Sequence, residues 1–531
     1  MEKYAVVDKY FDGYNLRKGS IIFTVNDGII TSEHVANDAE IKSLIADNNE
    51  VVDLRGNFVS PGLIDSHDHF MLTALKMKYQ VDFSGIRSFD DFRKILEENK
   101  NKVVHGWFQG YGINEYNMEE KRLPDLKIID EIFGNVPLFI THMTEHYGMC
   151  NSKTLEMAGI DRETESPPNS RIGRENSGNP NGVLYEAKAM DLVKRKIPEY
   201  NVDDYMEAIK FGSDHYRNAG LTTVKDTGGT GNDVNEETRI NAINRLSRNG
   251  DVGIRMAIAL PVYSIEDVGR KIELAKMIHE NSNIKFAGFK MFLDGSILSR
   301  TAWMKNSYVG SKNNKGIPLW EIHNFKEALR RLATTGYHIS IHTIGDRAID
   351  TALDAIEELK NAGIGSRYAL VHCYKLNRET IQRIKRLNAG IETQLAFIYF
   401  IGDALSDNMG RKQSRCLFPI KTMIEQGIAV SNGSDSPVTP FNPLYGIYSS
   451  MFRETLTGRN SGVYDDRENI SLEGAIKTYT SESAKVIEWD EIGSLERGKN
   501  ADFTVWSQDP ENLKNNINEW LGITLKSITL R

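Results

Sequence analysis

The sequence predicts an α/β fold, a TIM (β/α)8 barrel with added parts, on three observations. Eight short apolar runs alternate with helical segments. Several of those runs end in a histidine or are followed by a carboxylate. The first ends in His67 and His69, two apart, so both side chains lie on one face of a strand. In such a barrel the active site lies at the C-terminal ends of the strands.

Residues Tyr4 to about Ser60 read as all-β. Ser20–Thr24 and Ile29–Thr31 flank Asn26-Asp27-Gly28, a hairpin-turn signal, and Glu50–Leu54 is a third run. Pro61-Gly62 breaks the chain, and Leu63–His69 is the first barrel strand. Leu72 to about Tyr200 is expected to be an insertion. It holds a helix over Phe89–Glu98 after Ser88, a strand over Pro137–Thr141, and a loop over Ser166–Pro180 rich in Ser, Pro, Asn and Gly. Trp107, Tyr111, His146, Tyr147 and Glu186 are the insertion's candidates for lining a cleft.

From Asn201 the alternation is regular. The expected strands are Leu221–Val224, Ile254–Leu260, Phe286–Leu293, His338–His342, Tyr368–His372, Gly390–Leu395 and Ile428–Ser431. The clearest helix is Arg347–Asn361, with Ala348, Ile349, Ala352, Leu353, Ile356 and Leu359 on one face, Asp346 as N-cap and Gly363 as stop. Ile492–Trp506 returns to strand and turn chemistry and rejoins the N-terminal β-region. The expected division is 1–60 and 491–531 for the β-domain, and 61–490 for the barrel, with the insertion at 72–200.

Composition narrows the function. A net charge of −8 and a pI near 5.9 argue against a nucleic-acid binder, which shows a basic face. No apolar run reaches the length needed to cross a membrane, and the start has no signal-peptide core. The three cysteines, Cys150, Cys373 and Cys416, suit a reducing cytoplasm better than a disulfide framework. The expected location is therefore cytoplasmic.

The strand ends carry the chemistry. His67 and His69 end the first strand. Lys290 is the one charged residue in Ala287-Gly-Phe-Lys-Met-Phe-Leu293, where a bare ammonium is costly. His342 ends the fifth strand and His372 the sixth, and Asp435 follows the eighth in Ser431-Asn-Gly-Ser-Asp-Ser-Pro437. Four imidazoles, a lysine and a carboxylate at one barrel mouth point to a divalent metal site. Lys225, at the end of the second strand, is a rival for the lysine. His142 and His146 are rival ligands, each more simply read as structural. Cys373 is expected to pack on the far face of its strand. Asp65, Asp68, Asp294 and Asp346 are candidates to orient the histidines.

Ser60–Phe70, Ser-Pro-Gly-Leu-Ile-Asp-Ser-His-Asp-His-Phe, resembles the metal-binding signature of the amidohydrolase superfamily. The order of the later residues matches its binuclear members. Asp294-Gly-Ser…Arg300-Thr-Ala302, His342–Asp350 and Gly433–Pro437…Asn442-Pro-Leu444 resemble its large-insertion branch, which includes N-substituted formamide deformylases. Gly182–Glu186 and Asn151-Ser…Leu155 fit as well. The resemblance implies a β-sandwich built from both chain ends, as Gly493, Leu495, Gly498, Lys499, Ala501 and Asp502 also suggest. It implies His67, His69, Lys290, His342, His372 and Asp435 as ligands, with Lys290 carboxylated by carbon dioxide to a carbamate. It implies one or two divalent metals, expected to be zinc, and Asp435 as the catalytic acid–base. His146 and Arg300 are assigned to substrate binding.

The expected reaction is hydrolysis of a non-peptide C–N bond, in a linear amide such as an N-substituted formamide or N-acyl amine, by metal-activated hydroxide. The alternatives are a mononuclear deaminase of the same fold and a non-catalytic assembly relative. A serine hydrolase is disfavoured by the absence of a Gly-x-Ser-x-Gly elbow. The expected partners are a small-molecule amide and a second copy of the chain, with neither nucleic acid nor membrane.

Overall fold

The computed structural model describes residues 2–47, 49–143, 146–168, 170–229, 234–459 and 462–531. The chain divides into two compact units. One is Met1–Leu72 with Ser213–Arg531, and the other is Thr73–Gly212.

The first unit contains the barrel. Its strands are β1 (Leu63–Asp68), β2 (Leu221–Asp226), β3 (Arg255–Val262), β4 (Ile284–Phe292), β5 (Ile339–Thr343), β6 (Tyr368–His372), β7 (Gly390–Thr393) and β8 (Val430–Asn432). They form one parallel eight-stranded sheet in that order, and each bound lies within two residues of the sequence expectation. The fold class is the expected one. Apolar runs buried on both faces explain why these strands were visible: β3 is buried at every position.

β8 and β1 meet at the seam of the barrel without a regular ladder. Single hydrogen bonds join them. Ser66 Oγ donates to Ser431 Oγ at 2.8 Å, Asp435 N donates to His67 O at 2.8 Å, and His69 N donates to Ser436 O at 3.0 Å. Gly433 permits this approach. A Cβ there would sit 2.6 Å from His67 N and 2.7 Å from His67 O.

Strands from both chain ends form one continuous seven-stranded sheet, in which Phe58–Pro61 pairs with Asp502–Trp506. The Asn26-Asp27-Gly28 signal is a two-residue hairpin, with Asp27 and Gly28 both at positive φ. The N-terminal region is not all-β. Asp38–Ala46 is a helix, capped by Asn37, whose side chain accepts from Glu40 N at 3.0 Å. The barrel helix expected over Arg347–Asn361 starts at Asp346, and Gly345 takes the N-cap position instead. The Asp346 carboxylate is engaged elsewhere, accepting from Lys305 N at 2.7 Å and pairing with Lys375 at 3.0 Å. Gly363 lies just past the helix at positive φ, as expected of a stop.

The second unit is a seven-stranded mixed sheet with helices, and apolar side chains form two core clusters. The helix Phe89–Asn99 is capped by Ser88 as expected. Ser166–Pro180 is not wholly a loop. Arg171–Arg174 is an edge strand paired with Pro180–Tyr185, and residue 169 lies outside the described residues. The glycine that reads as a loop signal serves packing here: a Cβ on Gly173 would sit 2.3 Å from Asn181 Oδ1. No helix among the described residues is long and apolar enough to cross a membrane.

The seam yields a test. Gly433→Ala is expected to destabilise the fold by roughly 1–3 kcal/mol, the usual cost of forcing extra volume into a packed interior. Urea unfolding measures it. An unchanged midpoint would mean that β8 and β1 do not approach this closely.

Candidate metal centre

His67 lies in β1 and His69 directly follows it, one residue short of the strand end expected from the sequence, and both are buried. Each ring is fixed through Nδ1. His67 Nδ1–H donates to Glu392 Oε2 at 3.0 Å, and His69 Nδ1–H donates to the Gly228 carbonyl at 2.7 Å. A carbonyl only accepts, so the proton of His69 sits on Nδ1 and the Nε2 lone pair is free. The two Nε2 atoms lie 3.5 and 3.3 Å from Asp435 Oδ1. Ligand atoms of His67, His69 and Asp435 all fall within 4.8 Å of one another.

Lys290, on β4, extends toward the same point, with Nζ 3.2 Å from His67 Nε2 and 4.9 Å from the centre of the Phe292 ring. Burial brings its ammonium down to about 7, against the opposing pull of Glu392 and Asp435. His342 and His372 form a ring pair beside it, 4.4 Å between centres, and His372 lies 5.6 Å from His67. His372 Nδ1–H donates to Gln394 Oε1 at 2.6 Å. His342 Nε2 sits 3.2 Å from the Gly295 carbonyl, so its polar contact is with the loop after β4. Burial holds His67 below the ordinary imidazole range, His342 at about 3, and His372 well below, with Lys290 adding to each shift. These shifts favour the neutral ring, the form that binds metal.

Asp435 sits on the loop after β8 at positive φ, as do His372 and Cys373 at the end of β6. Non-glycine residues in this region cost energy and cluster at functional sites. Burial alone would raise the Asp435 carboxyl, but contact with His67 and His69, whose Nε2 atoms lie 3.5 and 3.3 Å from Oδ1, outweighs it and holds the group well below its usual range. Asp65 accepts from His67 N at 3.2 Å and from Ser434 N at 3.1 Å, tying β1 to the Asp435 loop. Asp294 accepts from Trp303 N, Ile344 N and Gly345 N at 2.8–3.0 Å and lies 3.7 Å from His342 Nε2. It thus fixes the loop after β5 that carries His342. Burial, with Asp65 beside it, raises the Asp68 carboxyl well above the carboxylate range. Among the described residues the Asp346 carboxylate meets Lys305 and Lys375 rather than a histidine. Cys373 is buried, consistent with packing.

Two residues escaped the sequence reading. Glu392 and Gln394 are two apart at the end of β7 and hold His67 and His372 respectively. Their signal was the alternation that marked His67 and His69: two polar side chains on the inward face of a short barrel strand. The rival lysine also has a place. Lys225 Nζ lies 2.6 Å from Glu392 Oε1 and 2.7 Å from Ser340 Oγ, in a buried ion pair.

The residues assigned to substrate stand as follows. Arg300 is exposed at positive φ, and its Nε donates to Asn408 Oδ1 at 2.7 Å. In the second unit, His146 is exposed, with Nδ1 3.1 Å from Glu186 Oε2. His142 there stacks on Tyr147 and lies 3.3 Å from Glu115 Oε2. Tyr147 OH donates to Glu115, and Trp107 belongs to an apolar core cluster.

The donor set suits a divalent metal. Two imidazoles with free Nε2 atoms and one carboxylate match the ligand types of zinc and its neighbours. Their outer nitrogens are already fixed by hydrogen bonds, as in known metal sites.

The model of the amidohydrolase family matches residues 50–518. A Bacillus subtilis (strain 168) protein, YtcJ, whose name assigns it to the amidohydrolases, is 29% identical over 474 residues, covering 87% of this chain and 86% of that protein. The N-substituted formamide deformylase of Arthrobacter pascens is 26% identical over 493 residues, covering 90% of this chain and 88% of the enzyme. An uncharacterized metal-dependent hydrolase from Pyrococcus horikoshii superposes with a TM-score of 0.78 at 22% identity, covering 97% of this chain and 99% of the other. With residues 50–518 matched by the family model and the barrel in place, the chain belongs to the amidohydrolase family.

Proposed function

We propose that the protein is a metal-dependent hydrolase of a non-peptide C–N bond, with a linear amide such as an N-substituted formamide or N-acyl amine as substrate. The observation that carries the reading is the convergence of His67, His69 and Asp435, with Lys290 Nζ 3.2 Å from His67 Nε2. The likeness to the Arthrobacter pascens deformylase supports the substrate class.

His67, His69 and Asp435 would hold the first metal. Lys290, His342 and His372 lie next to them and would complete a second position. A bound divalent metal, zinc by ligand type, supplies Lewis-acid polarisation of the carbonyl and brings water's deprotonation toward neutral pH. The protein's own groups do the rest. Asp435, held as a carboxylate, accepts the proton of the attacking water. It then returns that proton to the nitrogen, because an amide anion is too poor a leaving group to depart unprotonated.

Lys290 has a distinct role in this reading. Its amine, brought down to about 7, is partly neutral at neutral pH. A neutral amine attacks carbon dioxide through its lone pair, forming an N–C bond and releasing one proton, to give an anionic carbamate. The group thereby changes from a buried cation to an oxygen donor.

Asp435→Asn tests the proton role. The variant is expected to fold and keep much of its metal while kcat on an accepted N-formyl or N-acyl amide falls by ~10²–10⁴-fold. Metal content is measured beside kcat. Full turnover with full metal would place the acid–base elsewhere. Lys290→Ala is expected to lose activity, with partial recovery on adding a short carboxylate such as formate. Retention of full activity by Lys290→Ala would remove the carbamate from the account.

A further inference from the structure

The level of a TIM barrel interior beneath the catalytic mouth is ordinarily filled with branched apolar side chains. In this barrel that level is charged. Lys225 on β2, Ser340 on β5 and Glu392 on β7 are all fully buried. Ser340 lies two residues before His342 along its strand, and Glu392 two before Gln394, so both point inward one layer below the site. Lys225 Nζ and Ser340 Oγ each lie 2.6 Å from Glu392 Oε1, and Lys225 Nζ lies 2.7 Å from Ser340 Oγ. These contacts close a triangle around one carboxylate oxygen.

Stability does not account for this arrangement. A buried ion pair typically does no better than well-packed apolar residues of the same volume, because desolvation consumes the Coulombic gain. The other oxygen shows what the pair is for. Glu392 Oε2 accepts from His67 Nδ1 at 3.0 Å. The triangle anchors Oε1, which restricts how the carboxylate can turn and leaves Oε2 to meet His67. An acceptor at Nδ1 requires the proton there and leaves the Nε2 lone pair directed at His69 and Asp435.

We propose that Glu392, held by Lys225 and Ser340, is a positioning residue that sets the tautomer and orientation of His67 for metal binding. The inference rests on the metal-dependent reading above. A merely structural ion pair would influence unfolding but not the ring proton of His67 or the metal affinity of the folded protein.

The test uses the full chain, with Zn²⁺ as probe in chelator competition and ¹⁵N-histidine spectra of the metal-free protein. The His67 signals are identified by their loss in His67→Gln. Wild type is expected to bind Zn²⁺ and to show His67 as the Nδ1–H tautomer. Glu392→Gln can donate from its amide to Nδ1, so the Nε2–H tautomer is expected to appear, and Zn²⁺ binding to weaken roughly 10–100-fold. Because Glu392→Gln leaves the Lys225 ammonium buried without its partner, a second variant, Lys225→Met with Glu392→Leu, removes both charges. It is expected to fold and to show the same weakening. Wild-type Zn²⁺ affinity in either folded variant, or an Nε2–H His67 in the wild type, overturns the positioning role alone. A wild type that takes up no Zn²⁺ overturns the metal reading and this inference with it.

Discussion

The site depends on how the barrel closes. Between β8 and β1 the regular ladder gives way to a few hydrogen bonds, and those bonds involve the ligand segments themselves. Asp435 N donates to His67 O, and His69 N donates to Ser436 O. The backbone that seals the barrel therefore also fixes the distance between the paired histidines and the carboxylate. Asp65 reinforces the closure by accepting from the backbone of both segments. A shift of the seam would move His67, His69 and Asp435 relative to one another, so fold and candidate site share one constraint.

The second constraint is electrostatic. Burying imidazoles and a lysine together favours their neutral forms, and that is the direction of the shifts at His67, His342, His372 and Lys290. Neutral nitrogen donors suit a cation. Asp435 moves the other way because two imidazoles approach it. Glu392 is likewise held well below its ordinary range: burial opposes this, but Lys225, His338 and His67 prevail. The mouth thus presents a carboxylate and neutral rings, and the compensating ion pair lies one layer deeper.

Much of this was legible in the sequence, for physical reasons that differ by element. The barrel strands showed because buried parallel strands are long apolar runs. His67 and His69 showed because strand periodicity puts alternate residues on one face, and Lys290 because a lone charge interrupts an apolar strand. Glu392 and Gln394 obey the same periodicity, but Glu392 sits in, and Gln394 just past, a strand only four residues long, where polar residues resemble a strand end. The role of Lys225 was undecidable for the same cause, since its partner is 167 positions away. The helix Asp38–Ala46 was overlooked because its N-cap signal stands among strand residues and only Ile41 is buried. The Arg171–Arg174 strand was hidden by loop-type composition, because an edge strand is held by backbone pairing that composition does not record. Asp346 had the residue type of a cap, but Gly345 enters the helix first and the carboxylate is taken by two lysines of neighbouring loops.

The most direct measurement is anomalous diffraction from crystals of the protein grown with Zn²⁺, collected on both sides of the zinc edge. The account predicts an anomalous peak about 2.0–2.1 Å from Nε2 of both His67 and His69, with Asp435 beside it. A zinc peak bound elsewhere with these nitrogens free, or none in zinc-replete crystals, would contradict it.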